Sequence, residues 1–169
     1  MSAVAIEPQP LLRPMTGHDL EAVLKVEKAA YEFPWTLPIF RDCLRVGCHC
    51  FVYESLQGLI GHGIMSIAVG ECHILNICIH PDYQQRGLGA DMVRNMLDSA
   101  RRKKARVALL EVRISNTAAY RLYAKLGFDE IGLRKNYYPA RLGREDAIIL
   151  ARDLTQGLDS GWFRPAPNI

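Results

Sequence analysis

Apolar residues fall at helical intervals in four stretches of the chain and crowd into strand-like runs between them. Thr16 followed three residues later by Asp19 resembles a capping box, and Leu20, Val23, Leu24, Glu27 and Ala30 keep helical spacing behind it. Phe33-Pro34-Trp35 breaks that helix. Thr36 can cap a short second one whose apolar face is Phe40, Cys43 and Leu44. A helix pair is therefore expected ahead of the sheet.

Strand formers fill His49 to Glu54 and Leu59 to Val69 with Gln57-Gly58 between them, which predicts a hairpin. A third strand, His73 to Ile79, ends at His80-Pro81-Asp82. Leu88, Met92, Val93, Met96, Leu97 and Ala100 then mark a long helix that opens from the turn at Gln84 to Gly89. Val107 to Arg113 reads as a fourth strand. Asn116 starts a helix carrying Ala119, Leu122, Tyr123 and Leu126 on one face, and Gly127 stops it. Phe128 to Arg134 and Asp146 to Leu154 complete the sheet across a long loop holding Asn136-Tyr137-Tyr138-Pro139. With no repeat and no linker, the order predicts one α/β domain over 11–154, a flexible lead-in over 1–10 and a tail over 155–169.

Composition changes this picture little. The chain has 169 residues, 49% hydrophobic and 23% charged, as expected of one folded domain. A net charge of +3 does not argue for nucleic acid, though it suits a polyanionic ligand. No apolar run approaches the roughly 20 residues that span a bilayer, and the start shows no signal pattern, so the expectation is a cytoplasmic protein with no membrane partner. The five cysteines, Cys43, Cys48, Cys50, Cys72 and Cys78, are odd in number and lack a disulfide framework. Cys48-His49-Cys50 lacks the second ligand pair of a structural zinc site, so no metal is expected.

Chemistry concentrates after the third strand. Gly87 and Gly89 allow close backbone approach, and the N–H groups opening the next helix make a seat for phosphate. A tight strand-to-helix connection would use the same glycines. The turn is not a P-loop, for no Lys-Ser or Lys-Thr follows Gly89, nor a dinucleotide fingerprint, for Met92 stands where a third glycine belongs. Glu111 interrupts the apolar run Val107-Ala108-Leu109-Leu110 and must face a cleft or find a partner such as Arg113. Tyr123 lies on an apolar helix face, where it could simply fill the core. Arg101-Arg102-Lys103-Lys104 complements the C-terminal dipole of its helix and reads as a solvated face.

Gln84, Gly87 and Gly89 match the Gln/Arg-x-x-Gly-x-Gly/Ala signature of the GNAT acetyltransferase superfamily. Asn76-Ile77-Cys78-Ile79, Leu110-Glu111-Val112-Arg113, Ser115-Asn116, Leu122-Tyr123, Gly127-Phe128, Asn136-Tyr137-Tyr138-Pro139, Glu145-Asp146-Ala147 and Phe33-Pro34-Trp35 together resemble the bacterial RimI group of protein N-terminal acetyltransferases. The resemblance implies a splayed, mixed, mostly antiparallel sheet flanked by helices, with acetyl-CoA as co-substrate. It implies that Ile77, Cys78 and Ile79 offer backbone groups to the pantetheine arm and thioester, that Gln85, Arg86, Gly87, Leu88, Gly89 and Ala90 hold the pyrophosphate, and that Asn116 contacts the cofactor arm. Glu111 would then be the general base, directly or through a water, and Tyr123 the general acid. Phe33, Trp35, Tyr137 and Tyr138 would line a slot for a peptide N-terminus. The implied acceptor is the N-terminal alanine of small-subunit ribosomal protein eighteen, acetylated by direct transfer in a ternary complex. A small amine such as a polyamine or aminoglycoside is the alternative acceptor, and a non-catalytic CoA-binding module the alternative class.

Overall fold

The computed structural model describes residues 9–155. Most of the expected lead-in and tail lies outside these residues. Seven strands form one sheet in the order β1-β2-β3-β4-β5-β7-β6: β1 Leu11–Pro14, β2 His49–Ser55, β3 Gly58–Ala68, β4 Glu71–Ile79, β5 Val107–Arg113, β6 Asp129–Pro139 and β7 Arg144–Asp153. Four α-helices cover it: α1 Leu20–Ala30, α2 Leu37–Arg45, α3 Leu88–Arg102 and α4 Thr117–Lys125. Every pairing is antiparallel except β4 with β5. The mixed, mostly antiparallel sheet implied by the resemblance is the observed one.

Two cores lie on opposite faces. Met92, Val93, Met96 and Leu97 of α3 pack with Leu110 and Val112 of β5, Tyr123 of α4 and Phe128 into the larger one. Leu20 and Val23 of α1 meet Phe40 of α2 and Cys50, Val52 and Ile64 of the hairpin in the smaller. The larger core requires close approach of α3 to β3. A Cβ placed on Gly63 would stand 2.7 Å from the sulfurs of Met92 and Met96, so any larger residue would force both methionines to shift. Thr16 and Asp19 make the expected capping box, at the head of a 3-10 turn that runs into α1.

Two expectations need correction. The sheet begins before the helices, because Leu11–Pro14 pairs with β2 as an edge strand. Asn136-Tyr137-Tyr138-Pro139 is the end of β6, and only residues 140–143 separate it from β7. Register slips between Arg134 and Tyr138, and Asn136 takes φ of 51°, a bulge that lets β6 carry a proline at its end. Asn136 N–H finds its partner in the Asp146 carboxylate at 2.8 Å.

The sheet opens between its two central strands. β4 and β5 pair only from Glu71–Val107 to Ile74–Leu110. A register shift in β4 skips Leu75, pairing Ile74 with Met65 and Asn76 with Ile64, and turns the remainder of the strand away. Beyond Ile74 and Leu110 the two strands part like the arms of a V.

A candidate active site in the splayed sheet

The V is the mouth of a cavity of about 620 Å³. Ile77, Ile79, Gln85, Gly87, Leu88, Gly89, Ala90, Glu111, Asn116, Tyr123, Phe33, Trp35 and Tyr138 all line it, so residues far apart in sequence meet at one opening. Cys78, Arg86 and Tyr137, the other residues singled out from sequence, do not line it. The reason differs for each.

Strand alternation excludes Cys78. His80 N–H donates to Ile60 O of β3 at 2.8 Å, so Cys78, two residues earlier, also turns its main-chain groups toward β3, while Ile77 and Ile79 turn theirs into the V. Side chains confirm that direction: Tyr31 Oη donates to Ile77 O, and Gln84 Nε2 donates to Ile79 O at 2.9 Å. The Cys78 thiol donates to Val26 O at 3.7 Å, and burial pushes its pKa well up, which removes it as a nucleophile.

At the turn that opens α3, Gln85 has φ of 60° and Gly87 φ of 81° on either side of Arg86, and Gly87 is the N-cap of α3. These conformations turn consecutive N–H groups into a concave anion seat at a helix N-terminus. The Arg86 guanidinium donates to Asp82 O at 3.0 Å and lies 5.1 Å from the Tyr83 ring centre. Its side chain is therefore committed beside the turn. Across the cleft, Asn116 Oδ1 accepts from Ala119 N–H at 3.1 Å and caps α4.

Glu111 stands just past the last residue of β5 that pairs with β4, while its other edge remains paired with Ile149 of β7. Leu110 and Val112 are buried on one side of the strand, so alternation sends Glu111 to the other. Its Oε2 lies 2.7 Å from His73 Nε2, and its Oε1 accepts from Arg134 Nε at 3.3 Å. The His73 hydrogen bond, opposed by burial, lowers the Glu111 pKa below the usual carboxylate value. Arg113 is not its partner. That guanidinium donates to Glu145 Oε1 at 2.7 Å and to Pro139 O at 2.6 Å, and it sits 5.2 Å from the Phe33 ring centre and 4.5 Å from that of Tyr138. Arg113 thus clamps the aromatic wall together. Tyr138 Oη donates to Glu111 O at 3.1 Å, and burial pushes the Tyr138 phenol up to about 12. Tyr137 points elsewhere. It is 43% exposed, with its ring over Arg134.

Tyr123 is buried edge-on against Phe128, centroids 5.7 Å apart. Burial raises its phenol pKa well above the ordinary value, which keeps its proton in place at neutral pH.

A second carboxylate, Glu27, also lines the cavity. Its Oε1 accepts from Trp35 N–H at 2.9 Å, its Oε2 lies 3.0 Å from His62 Nε2, and Asn76 Nδ2 reaches both oxygens at 3.3 Å. It ties the Phe33–Trp35 segment to β3 and β4. Glu27, His62 and Cys78 form the one three-donor cluster of metal-binding type among the described residues; Glu27 and His62 are hydrogen-bonded to each other, and the Cys78 thiol donates to Val26 O. Sequence reasoning missed Glu27, His73 and Arg134, and offered Arg113 as a partner for Glu111 where the structure pairs it with Glu145. For Glu27 the signal was present: an acid at an apolar helical position, the same signal that exposed Glu111.

A mixed sheet whose central strand pair parts in front of a helix N-terminus is the architecture of the GNAT acetyltransferase class. The chain belongs to that family: the sequence model of the acetyltransferase (GNAT) family matches residues 18–128. Among its relatives is the [ribosomal protein bS18]-alanine N-acetyltransferase of Escherichia coli K12, 37% identical over 135 residues that cover 79% of this chain and 90% of the relative. The putative enzyme of the same name from Bacillus subtilis is 35% identical over 141 residues, covering 82% and 92%. The crystal structure of the Escherichia coli ribosomal-protein-S18-alanine N-acetyltransferase superposes with a TM-score of 0.82 at 32% identity, covering 91% of this chain and 99% of that one.

Proposed function

We propose that this protein transfers an acetyl group from acetyl-CoA to the N-terminal α-amino group of a protein, and that its acceptor is the N-terminal alanine of ribosomal protein bS18. The observation that carries the reading is the continuity of one cavity from the Gln85–Ala90 anion seat, past Tyr123 and Glu111, to the Phe33–Tyr138 wall. Acetyl-CoA fits its donor set: consecutive N–H groups for pyrophosphate, Asn116 for the arm, and the inward N–H groups of Ile77 and Ile79 for the thioester end. A ribosomal substrate places the reaction in the cytoplasm. No helix among the described residues is long and apolar enough to cross a membrane.

An amine attacks a thioester only when neutral, and an α-amino group with a pKa of about 8 needs only a modest base. Glu111 takes the proton, directly or through one water, as the C–N bond forms. Backbone N–H groups of the β4 arm stabilise the developing oxyanion, and Tyr123 gives its proton to the sulfur as the C–S bond breaks. The products are the N-acetylated chain and free coenzyme A. The walls favour a peptide over a polycation, since of the two cavity carboxylates Glu27 is saturated by His62, Asn76 and the Trp35 N–H, leaving Glu111 alone to face an amine.

Coenzyme A release with an alanine-starting peptide of bS18, the same peptide blocked at its amine, and a panel of polyamines and aminoglycosides tests this. Turnover is expected with the open peptide and not with the blocked one. Equal turnover of the blocked peptide, or turnover of the small amines alone, overturns the N-terminal assignment.

A further inference from the structure

His73 occupies a distinctive place in the parted sheet. It belongs to the short stretch in which β4 and β5 still pair, in register with Leu109, and it reaches forward to the first carboxylate beyond the point of parting. The contact bridges 38 positions of sequence. It is also asymmetric. Glu111 Oε2 is taken at 2.7 Å by His73, whereas Oε1 has only a 3.3 Å contact with an Arg134 side chain that is half exposed.

We propose that His73 is a positioning residue for acetyl transfer, holding the Glu111 carboxylate by one oxygen so that the other is presented to the cleft, and setting by its own charge how readily Glu111 accepts the amine's proton. The proposal rests on Glu111 being the base. On the β4 side of the V the strands have parted, so the carboxylate is held there only by this short charge-assisted hydrogen bond, its other side-chain contact being the longer one to Arg134 of β6. The charged groups facing the imidazole are Glu111 on β5, Arg134 across on β6 and Glu71 on its own strand. The Glu111 hydrogen bond outweighs burial and Arg134, so His73 titrates above the ordinary imidazole value.

The direction follows. Below that raised pKa the imidazolium holds Glu111 in a full ion pair and weakens it as a base. Above it, the neutral ring keeps Nε2–H on Oε2 without the charge, and Glu111 becomes more basic. Because the two groups are in direct contact, the ionisation belongs to the pair. Turnover therefore climbs with pH through the His73 ionisation, separately from the deprotonation of the substrate amine.

The experiment compares kcat against pH for the wild-type protein and the His73→Ala, His73→Gln and Glu111→Gln variants, with saturating acetyl-CoA and alanine-starting peptide, alongside an NMR titration of the His73 ring. His73→Ala is expected to lose about 10-fold in kcat with the KM for acetyl-CoA unchanged. His73→Gln, which keeps a neutral donor, is expected to recover most of that loss while lacking the pH limb that coincides with the His73 titration. In Glu111→Gln the His73 pKa should fall back toward the ordinary value. Full kcat in His73→Ala, a limb that persists in His73→Gln, or a His73 pKa indifferent to Glu111→Gln overturns the proposal. Full activity in Glu111→Gln instead removes the base assignment, so the two failures are told apart.

Discussion

Glu27 and Glu111 are both carboxylates set among apolar neighbours, one on α1 and one on β5, and both line the same cavity. Glu27 is 1% exposed and bonded on both oxygens to a backbone N–H, a buried imidazole and an amide. Glu111 keeps partial access to solvent, and its partners are a half-buried histidine and a half-exposed arginine. The difference separates architecture from chemistry. A carboxylate saturated by donors fixed in the core has nothing left for a substrate, whereas one held from a single side retains lone pairs toward the cleft.

The largest effect follows from cutting the saturated one. Glu27→Ala leaves His62, Asn76 and the Trp35 N–H without their acceptor in a buried setting, and should cost about 3 kcal/mol of stability, read as a fall in the urea midpoint. Glu27→Gln, which keeps one acceptor and most of the volume, should cost less and leave turnover of the folded fraction nearly intact. If Glu27→Gln stayed as stable as the wild type while turnover collapsed, Glu27 would belong to the chemistry and the contrast would be lost.

Glu111→Gln should do the opposite. Its turnover should fall about 100-fold, with a stability change under about 1 kcal/mol because the site is open and the amide can still accept from His73. Tyr123→Phe should lower kcat about 30-fold with the KM for peptide little changed, the pattern of a group used only as the C–S bond breaks. Ring packing on Phe128 survives that change, so an unaltered rate would place Tyr123 in the core alone.

Much of this contrast was legible in the chain, because an acid within an apolar run is a local signal. So were the helix opening at Leu88, the caps at Thr16 and Asn116, and the anion-seating turn. What escaped is non-local or aperiodic. β1 has four residues with no alternation to read, and a proline at its end argues against a strand until its edge position is known. The partners of Glu111 and Arg113 are 38 and 32 positions away, set by sheet register, which a sequence does not display. Tyr137 and Tyr138 looked like one aromatic patch while their segment was read as a loop. Their rings do pack edge to face, centroids 4.9 Å apart, but the Tyr137 ring lies over Arg134 and only Tyr138 lines the cleft.

A third carboxylate gives the smallest effect and sharpens the scale. Asp19 is bonded by Arg13 through both guanidinium nitrogens at 2.9 Å and by the Thr16 N–H at 2.8 Å, and the Arg13 hydrogen bonds lower its pKa to about 2. A depressed folded pKa means that the stabilisation is present above the unfolded value near 4 and disappears as pH falls toward 2. Asp19 is held as fully as Glu27, but at the rim of the domain, where its partner Arg13 is 28% exposed and solvent screens the pair. Asp19→Asn should therefore cost about 1 kcal/mol at pH 7, with the difference from wild type vanishing near pH 2 in urea titrations. A loss as large as that of Glu27→Ala would mean that the number of hydrogen bonds to a carboxylate, rather than its depth, sets the cost. A small loss that disappears on acidification would leave burial as the quantity that distinguishes Glu27 from every other acid in the fold.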